Sequence, residues 1–249
     1  LDNSPNHANY KNIGTYLNED HHIKAKESFK ELGKLILKQL PDNENSGCLL
    51  DIGCATGALI GYLETLLPKY EMVGLDYFPE LVKKAETKLP QHKFIQGSAL
   101  SLPDEFKKSF DFVILSGVIG IFDFDDAMTA CRQALDCLRK GGTLYIFGNF
   151  NEYDIDLLVS HRKRIDGKTG DWEKGWNVYS MSTMQDFFSD CHHIKFFDFE
   201  MPFELTPQND PIRSWTYKEN NKLQLTNGLK FLINLRFLEV KRDMLPSEK

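Results

Sequence analysis

The run Leu49-Leu50-Asp51-Ile52-Gly53-Cys54-Ala55-Thr56-Gly57 decides the fold. Its first residues, with Cys48, read as a short apolar strand; residues 53–57 form a tight turn, and residues 58–67 resume helical spacing. Glycines at the carboxyl end of a strand let backbone N–H groups approach a ligand, and the helix start that follows favours a negative group there. Asp51, at the strand end, is placed to accept from a cationic group directly or through water. The same residues also make an ordinary strand-to-helix turn, so the motif takes its meaning from what surrounds it.

Upstream, residues 23–40 place Phe29, Leu32, Ile36 and Leu40 at steps of three and four with Lys and Glu between them, an amphipathic helix that Pro41 ends. Downstream the alternation recurs: strand 70–75, helix 79–89, strand 93–96, strand 110–115, helix 125–138 and strand 143–147. Alternating strands and helices predict a parallel sheet with helices on both faces. Beyond Gly148 a polar stretch carries Trp172, Gly175 and Trp176 before a helix over 182–190, and strands over 194–199 and 229–240 close the sheet. Pro207, Asp210-Pro211 and Asn227-Gly228 mark turns between those strands. Without an internal repeat or a linker, the expectation is one domain over 1–249, with 1–47 as a helical cap and 148–181 as a substrate lid.

Composition narrows the partners. A formal net charge of -6 over 249 residues disfavours nucleic acid and anionic membranes, which both require a basic footprint. The apolar run 112–122 is interrupted by Ser116 and falls short of the ~20 residues a membrane helix needs. Residues 1–10, with Pro5 and His7, lack the regions of a signal peptide. Cys48, Cys54, Cys131, Cys137 and Cys191 are odd in number and lack metal-type spacing, which predicts reduced thiols in a cytoplasmic protein, with Cys131 and Cys137 as packing residues. A polar small molecule is the expected substrate; the oligomeric state is not encoded in these features.

Further along, Asp76 ends the second strand in Val73-Gly74-Leu75-Asp76, about twenty residues after the glycine turn, where an acidic group pairs with ribose hydroxyls in nucleoside-binding doubly wound folds. As a single residue it also reads as a solvated loop aspartate. Gly97-Ser98-Ala99 follows the third strand, and Leu138-Arg139-Lys140-Gly141-Gly142-Thr143 leads into the fifth. A nicotinamide dinucleotide fingerprint would fall on Gly53, Ala55 and Ala58, with one of its three glycines in register.

In order and spacing, residues 49–147 resemble the class I S-adenosylmethionine-dependent methyltransferases. The resemblance implies a doubly wound, Rossmann-like α/β sheet of seven strands, mostly parallel with an antiparallel last strand. It implies S-adenosylmethionine as cofactor and S-adenosylhomocysteine as product. It places Asp51, Gly53 and Gly57 at the methionine end, Asp76 at the ribose, and Ser98 and Ala99 beside the adenine; Cys54, Ala55, Tyr77, Ser116 and Gly117 complete the expected cofactor contacts. Two positions depart from the family pattern: Ala55 stands where many members have glycine, and Ser98 where an aspartate often accepts from the adenine amine. Residues 175–180 and 209–216 are loosely similar to methyltransferases of bacterial surface-glycan synthesis, which tilts the acceptor toward a sugar in polysaccharide biosynthesis.

The acceptor should lie beyond the carboxyl ends of the strands. Val118 and Phe150 join the expected pocket floor; Tyr16, Asn149, Asn151, Tyr153, Trp176 and Asn177 are the expected substrate contacts. Nucleic-acid amino methyltransferases resembling this fold carry a Pro-Pro-aromatic signature after the fourth strand, and Ser116-Gly117-Val118-Ile119 does not match it. Asp123, Asp125 and Asp126 precede a helix and read as capping residues, so no metal is expected. In His161-Arg162-Lys163-Arg164, a solvated face or an anion patch, His161 is suited by its ordinary pKa of about 6.5 to act as base. His21-His22 and His192-His193 do not resemble metal sites. Tyr10, Tyr16, Trp172, Trp176 and Tyr179 are lid or core. The expected reaction is O-methylation of a sugar or sugar nucleotide, with N-methylation of a small amine or a non-catalytic cofactor-binding subunit as alternatives.

Overall fold

A computed structural model describes residues 13–18, 21–40, 46–165 and 167–242. Expectations resting on Pro5, His7, Tyr10, Pro41 and Asp166 lie outside the described residues. The chain opens with α1 (Ile13–Asn18) and α2 (Glu27–Leu37), then enters the alternation: β1 (Ser46–Ile52), α3 (Ala58–Leu66), β2 (Lys69–Asp76), α4 (Pro79–Lys88), β3 (Lys93–Gln96), β4 (Phe110–Ser116), α5 (Phe124–Cys137) and β5 (Leu138–Asn151). The two-residue strands β6 (Ser160–His161), β7 (Arg164–Ile165), β8 (Lys168–Thr169) and β9 (Glu173–Lys174) follow, then β10 (Val178–Ser180), α6 (Met181–Phe187) and β11 (His193–Asp198). A hairpin, β12 (Trp215–Glu219) and β13 (Lys222–Thr226), leads through β14 (Leu232–Ile233) to β15 (Leu235–Lys241).

The main sheet has the order β11-β15-β5-β4-β1-β2-β3. Strands β1 to β5 run parallel, and β15 is antiparallel to both β5 and β11. The expected seven strands and the antiparallel last strand are all present. An eighth, β10, pairs with Asn149, Phe150 and Asn151 of β5, beyond the point where β4 ends. The first residues of the expected lid are therefore sheet. Only turns were expected over 202–228, whereas that stretch contains the β12–β13 hairpin, whose strands are too exposed and mixed in polarity to show a clean alternation.

Each central strand is buried on both faces, as parallel strands under two helical layers must be. Leu50, Val113, Leu144, Ile146 and Leu238 face α5 and α6, while Leu49, Phe112, Ile114, Phe147 and Phe237 face α2, α3 and α4. Small residues at Ala127, Ala130, Cys131 and Ala134 let α5 lie close to the sheet. Burial pushes the Cys131 and Cys137 thiols up to about 12, so both are packing groups rather than nucleophiles. Asp123 occupies the N-cap of α5 without a capping hydrogen bond and pairs instead with Lys174, a correction to the capping expectation. Asp125 and Asp126 do lie in the first turn. Among the described residues no helix is long and apolar enough to cross a membrane.

One polar cluster is built into the α2 face. The Glu239 carboxylate, 3% exposed, accepts from Tyr145 Oη at 2.8 Å and from Gln39, and meets His193 Nε2 at 2.6 Å. It ties α2, β5, β11 and β15 together through one side chain.

Candidate active site

The strand order reverses between β1 and β4: the chain runs outward through β2 and β3 and returns beside β1. Such a switch point opens a crevice at the carboxyl ends of the strands. Here it is an open cleft of about 720 Å³, a volume that includes solvent at its mouth.

The glycine turn forms one wall. Gly53 has φ +78°, and a Cβ there would lie 2.5 Å from Val118 Cγ2, so only glycine fits against the wall from β4. The Gly53 and Cys54 N–H groups donate to Leu75 O at 2.7 and 3.0 Å, which ties the turn to β2 rather than to a ligand. Gly57 is the left-handed N-cap of α3, whose first turn leaves backbone donors without intrahelical partners. Ala55, in the glycine position of the family pattern, has φ +48°. A methyl-bearing residue in that region is strained by roughly 1–2 kcal/mol, part of which glycine returns as unfolded-chain entropy. Ala55→Gly should therefore gain about 0.5–1 kcal/mol in a urea melt, and a loss would mean that the methyl makes compensating contacts.

Asp76 closes the turn. Its Oδ2 accepts from Ala55 N–H at 2.8 Å and its Oδ1 from Phe78 N–H at 3.0 Å. Burial raises its pKa while those N–H groups oppose the rise. Asp51 lies behind the turn, 2% exposed, and burial first, then the charge of Asp76, push it up to about 7.

Of the expected cofactor residues, Gly53, Ala55, Asp76, Tyr77, Ala99, Ser116 and Gly117 line the cleft, joined by Tyr16 of α1. Asp51, Cys54, Gly57 and Ser98 are absent from the lining. Cys54 is buried in the core, where its thiol is raised well above the ordinary value by desolvation. The Ser98 hydroxyl accepts from Leu100 N–H at 3.1 Å, within its own turn. The walls missed by sequence reasoning are apolar: Leu75, Phe78, Leu81, Ile121 and Phe122, with Gly97. Pro79 directly after Phe78 starts α4 and was a signal that residues 78 and 81 turn toward the strand ends.

The expected substrate residues disperse. Asn177, 2% exposed, accepts from Val159 N–H at 2.8 Å and donates to Phe122 O at 2.6 Å, so it fastens the lid to the cleft wall. Asn151 accepts from Tyr153 N–H and donates to Ile155 O, both local bonds. Tyr153 is exposed, and Trp176 sits at φ +67° at the foot of the lid. Asn149 is buried with its Oδ1 unpartnered. His161 lies on β6 opposite Glu173, outside the cleft lining, with both ring nitrogens buried and unpartnered.

The cleft fits S-adenosylmethionine. Gly53 leaves a cradle that a Cβ would fill, each Asp76 oxygen keeps a lone pair for a ribose hydroxyl, and apolar walls flank the position of a base. The fold is the Rossmann-like fold of solved methyltransferases. Residues 49–142 match a family described as "Methyltransferase domain". The chain is similar to a demethylmenaquinone methyltransferase of Thermotoga maritima, 30% identical over 139 residues, covering 56% of this chain and 54% of that one. It is also similar to the N-methyltransferase gliN of Aspergillus fumigatus, 29% identical, covering 53% and 46%. The chain spans about half the length of the curated relatives it matches. A solved SAM-dependent methyltransferase from Methanosarcina mazei has the same fold, with TM-score 0.58 and 15% identity over 85% of this chain and 98% of that one.

Proposed function

We propose that this protein transfers the methyl group of S-adenosylmethionine to a hydroxyl or amine of a small molecule. The observation that carries the reading is the convergence of the Gly53 turn, the Asp76 carboxylate and the apolar walls in one cleft at the switch point. The bound cofactor supplies an electrophilic methyl on a sulfonium, so the protein's main contribution is alignment of the acceptor. Asp76 orients the nucleoside, Gly53 admits it, and Val118, Ile121 and Phe122 exclude water beside it. Residues 1–47 serve as cap and 148–181 as lid in this reading, and free cysteines accord with a cytoplasmic setting.

A sugar hydroxyl is one acceptor. The unpartnered Asn149 Oδ1 at the end of β5 supports it, as does the acidic net charge. A hydroxyl needs a base, and His161 fills that role in this reading with its two unpartnered ring nitrogens, which requires the segment carrying β6 to move it to the cleft, since it lies outside the lining. An amine is the second reading, favoured by the lack of His, Lys or Arg among the described residues of the lining, since a neutral amine attacks unaided. Purified protein with sugar-nucleotide hydroxyls, their amino analogues and NADH as control separates these. Methylation of hydroxyls that disappears in His161→Ala supports O-methylation. Turnover of amines alone assigns N-methylation, and binding of NADH without S-adenosylhomocysteine would overturn the methyltransferase reading.

A further inference from the structure

We infer that Asp51 and Asp76 hold one proton between them until a cationic ligand enters the cleft, and that cofactor binding expels it. The inference rests on the cleft being the cofactor site. Asp51 and Asp76 sit at the carboxyl ends of the adjacent parallel strands β1 and β2, with Asp51 opposite Gly74 in register. They are 2% and 7% exposed. The two Asp76 oxygens accept from Ala55 and Phe78 N–H groups, which favours its charged form, whereas among the described residues no donor serves the Asp51 carboxylate. Among the described residues the other titratable group facing Asp51 is the Cys54 thiol, raised by burial first and then by both carboxylates. His22 reaches the same turn, but its Nε2 donates to Thr56 O at 2.9 Å, and no Lys, Arg or His among the described residues lines the cleft.

Two buried carboxylates at adjacent strand ends do not both ionise readily unless a cation joins them. Burial and the neighbouring charge hold Asp51 up to about 7, while the N–H groups on Asp76 oppose the rise that burial imposes on it. S-adenosylmethionine brings an ammonium and a sulfonium against one carboxylate, a net positive charge that lets both aspartates ionise. S-adenosylhomocysteine, a zwitterion without the sulfonium, lacks that net charge and should release less of the proton. Because the bound state is the deprotonated one, affinity rises with pH until the empty site has lost its proton, and levels off above about 7. The site thus couples cofactor capture to proton loss, and at lower pH protonated Asp51 competes with the ligand.

Calorimetry of S-adenosylmethionine at pH 6.5 in phosphate and in imidazole, buffers of different ionisation enthalpy, counts the proton. The enthalpies should differ by the release of roughly 0.5–1 proton, and affinity should be about tenfold weaker at pH 6 than at pH 8. Asp51→Asn should remove both the buffer difference and the pH slope. Binding with equal enthalpies in both buffers and a flat Kd from pH 6 to 8 would overturn the inference and leave the cofactor reading intact. No binding by the wild type at any pH would instead sink that reading. Should Asp51→Asn fail to fold, the wild-type buffer pair and pH series decide alone.

Discussion

Asp76→Ala should weaken S-adenosylhomocysteine binding by about 2–3 kcal/mol, roughly 30- to 150-fold, and destabilise the empty protein by about 1–2 kcal/mol. The effect has two sources. Truncation removes the carboxylate that would receive the ribose hydroxyls, and it orphans the Ala55 and Phe78 N–H groups that shape the turn. The second loss falls at the lower end of the range because water in the open cleft reaches both donors. Asp76→Asn tests the assignment more sharply, since the amide keeps the shape but turns an NH2 toward one of two facing N–H groups. Its affinity should approach that of the alanine variant, measured by calorimetry beside a urea melt. Retention within threefold would show that the carboxylate serves the turn and not the ligand.

Glu239→Ala should cost about 2–3 kcal/mol of stability, the upper part of the range for leaving a buried hydrogen-bonding group without its partner. The loss leaves the Tyr145 hydroxyl, fully buried, without its acceptor at 2.8 Å, and frees Gln39 and His193 together. Glu239→Gln keeps one acceptor oxygen and should cost about 1–2 kcal/mol. Denaturant melts with an unchanged m-value check both. A loss below about 1 kcal/mol for Glu239→Ala would mean that the donors find other partners, and that α2 is held by its apolar face alone.

The fold was legible because its signals are local. Residues 58–67 carry helical spacing directly after an apolar strand, and the same alternation recurs through residue 147, so strand and helix follow from period and turn chemistry over a few neighbours. Asp76 was legible for the same reason, since its distance from the glycine turn is fixed by one strand–helix–strand unit. The substrate side was less so. Asn151 and Asn177 have the right chemistry for a sugar, but residue type does not reveal whether a side chain's hydrogen bonds are already used within the fold.

By itself the sequence determined the alternation that makes a doubly wound sheet, the Gly53 turn, the two acidic strand ends and the class I methyltransferase resemblance. Each depends on residues close in the chain, where backbone preferences and side-chain period act before any long-range contact forms. The tertiary structure alone decided that Tyr16 of α1 lines a cleft with Phe78, Leu81 and Phe122, that β10 extends the edge of β5, and that His161 lies outside the lining. It alone buried Asp51 and Asp76 at one turn, with no Lys, Arg or His among the described residues of the lining. These depend on segments far apart in sequence meeting at the ends of packed strands, where burial and neighbouring charge change what each side chain can do.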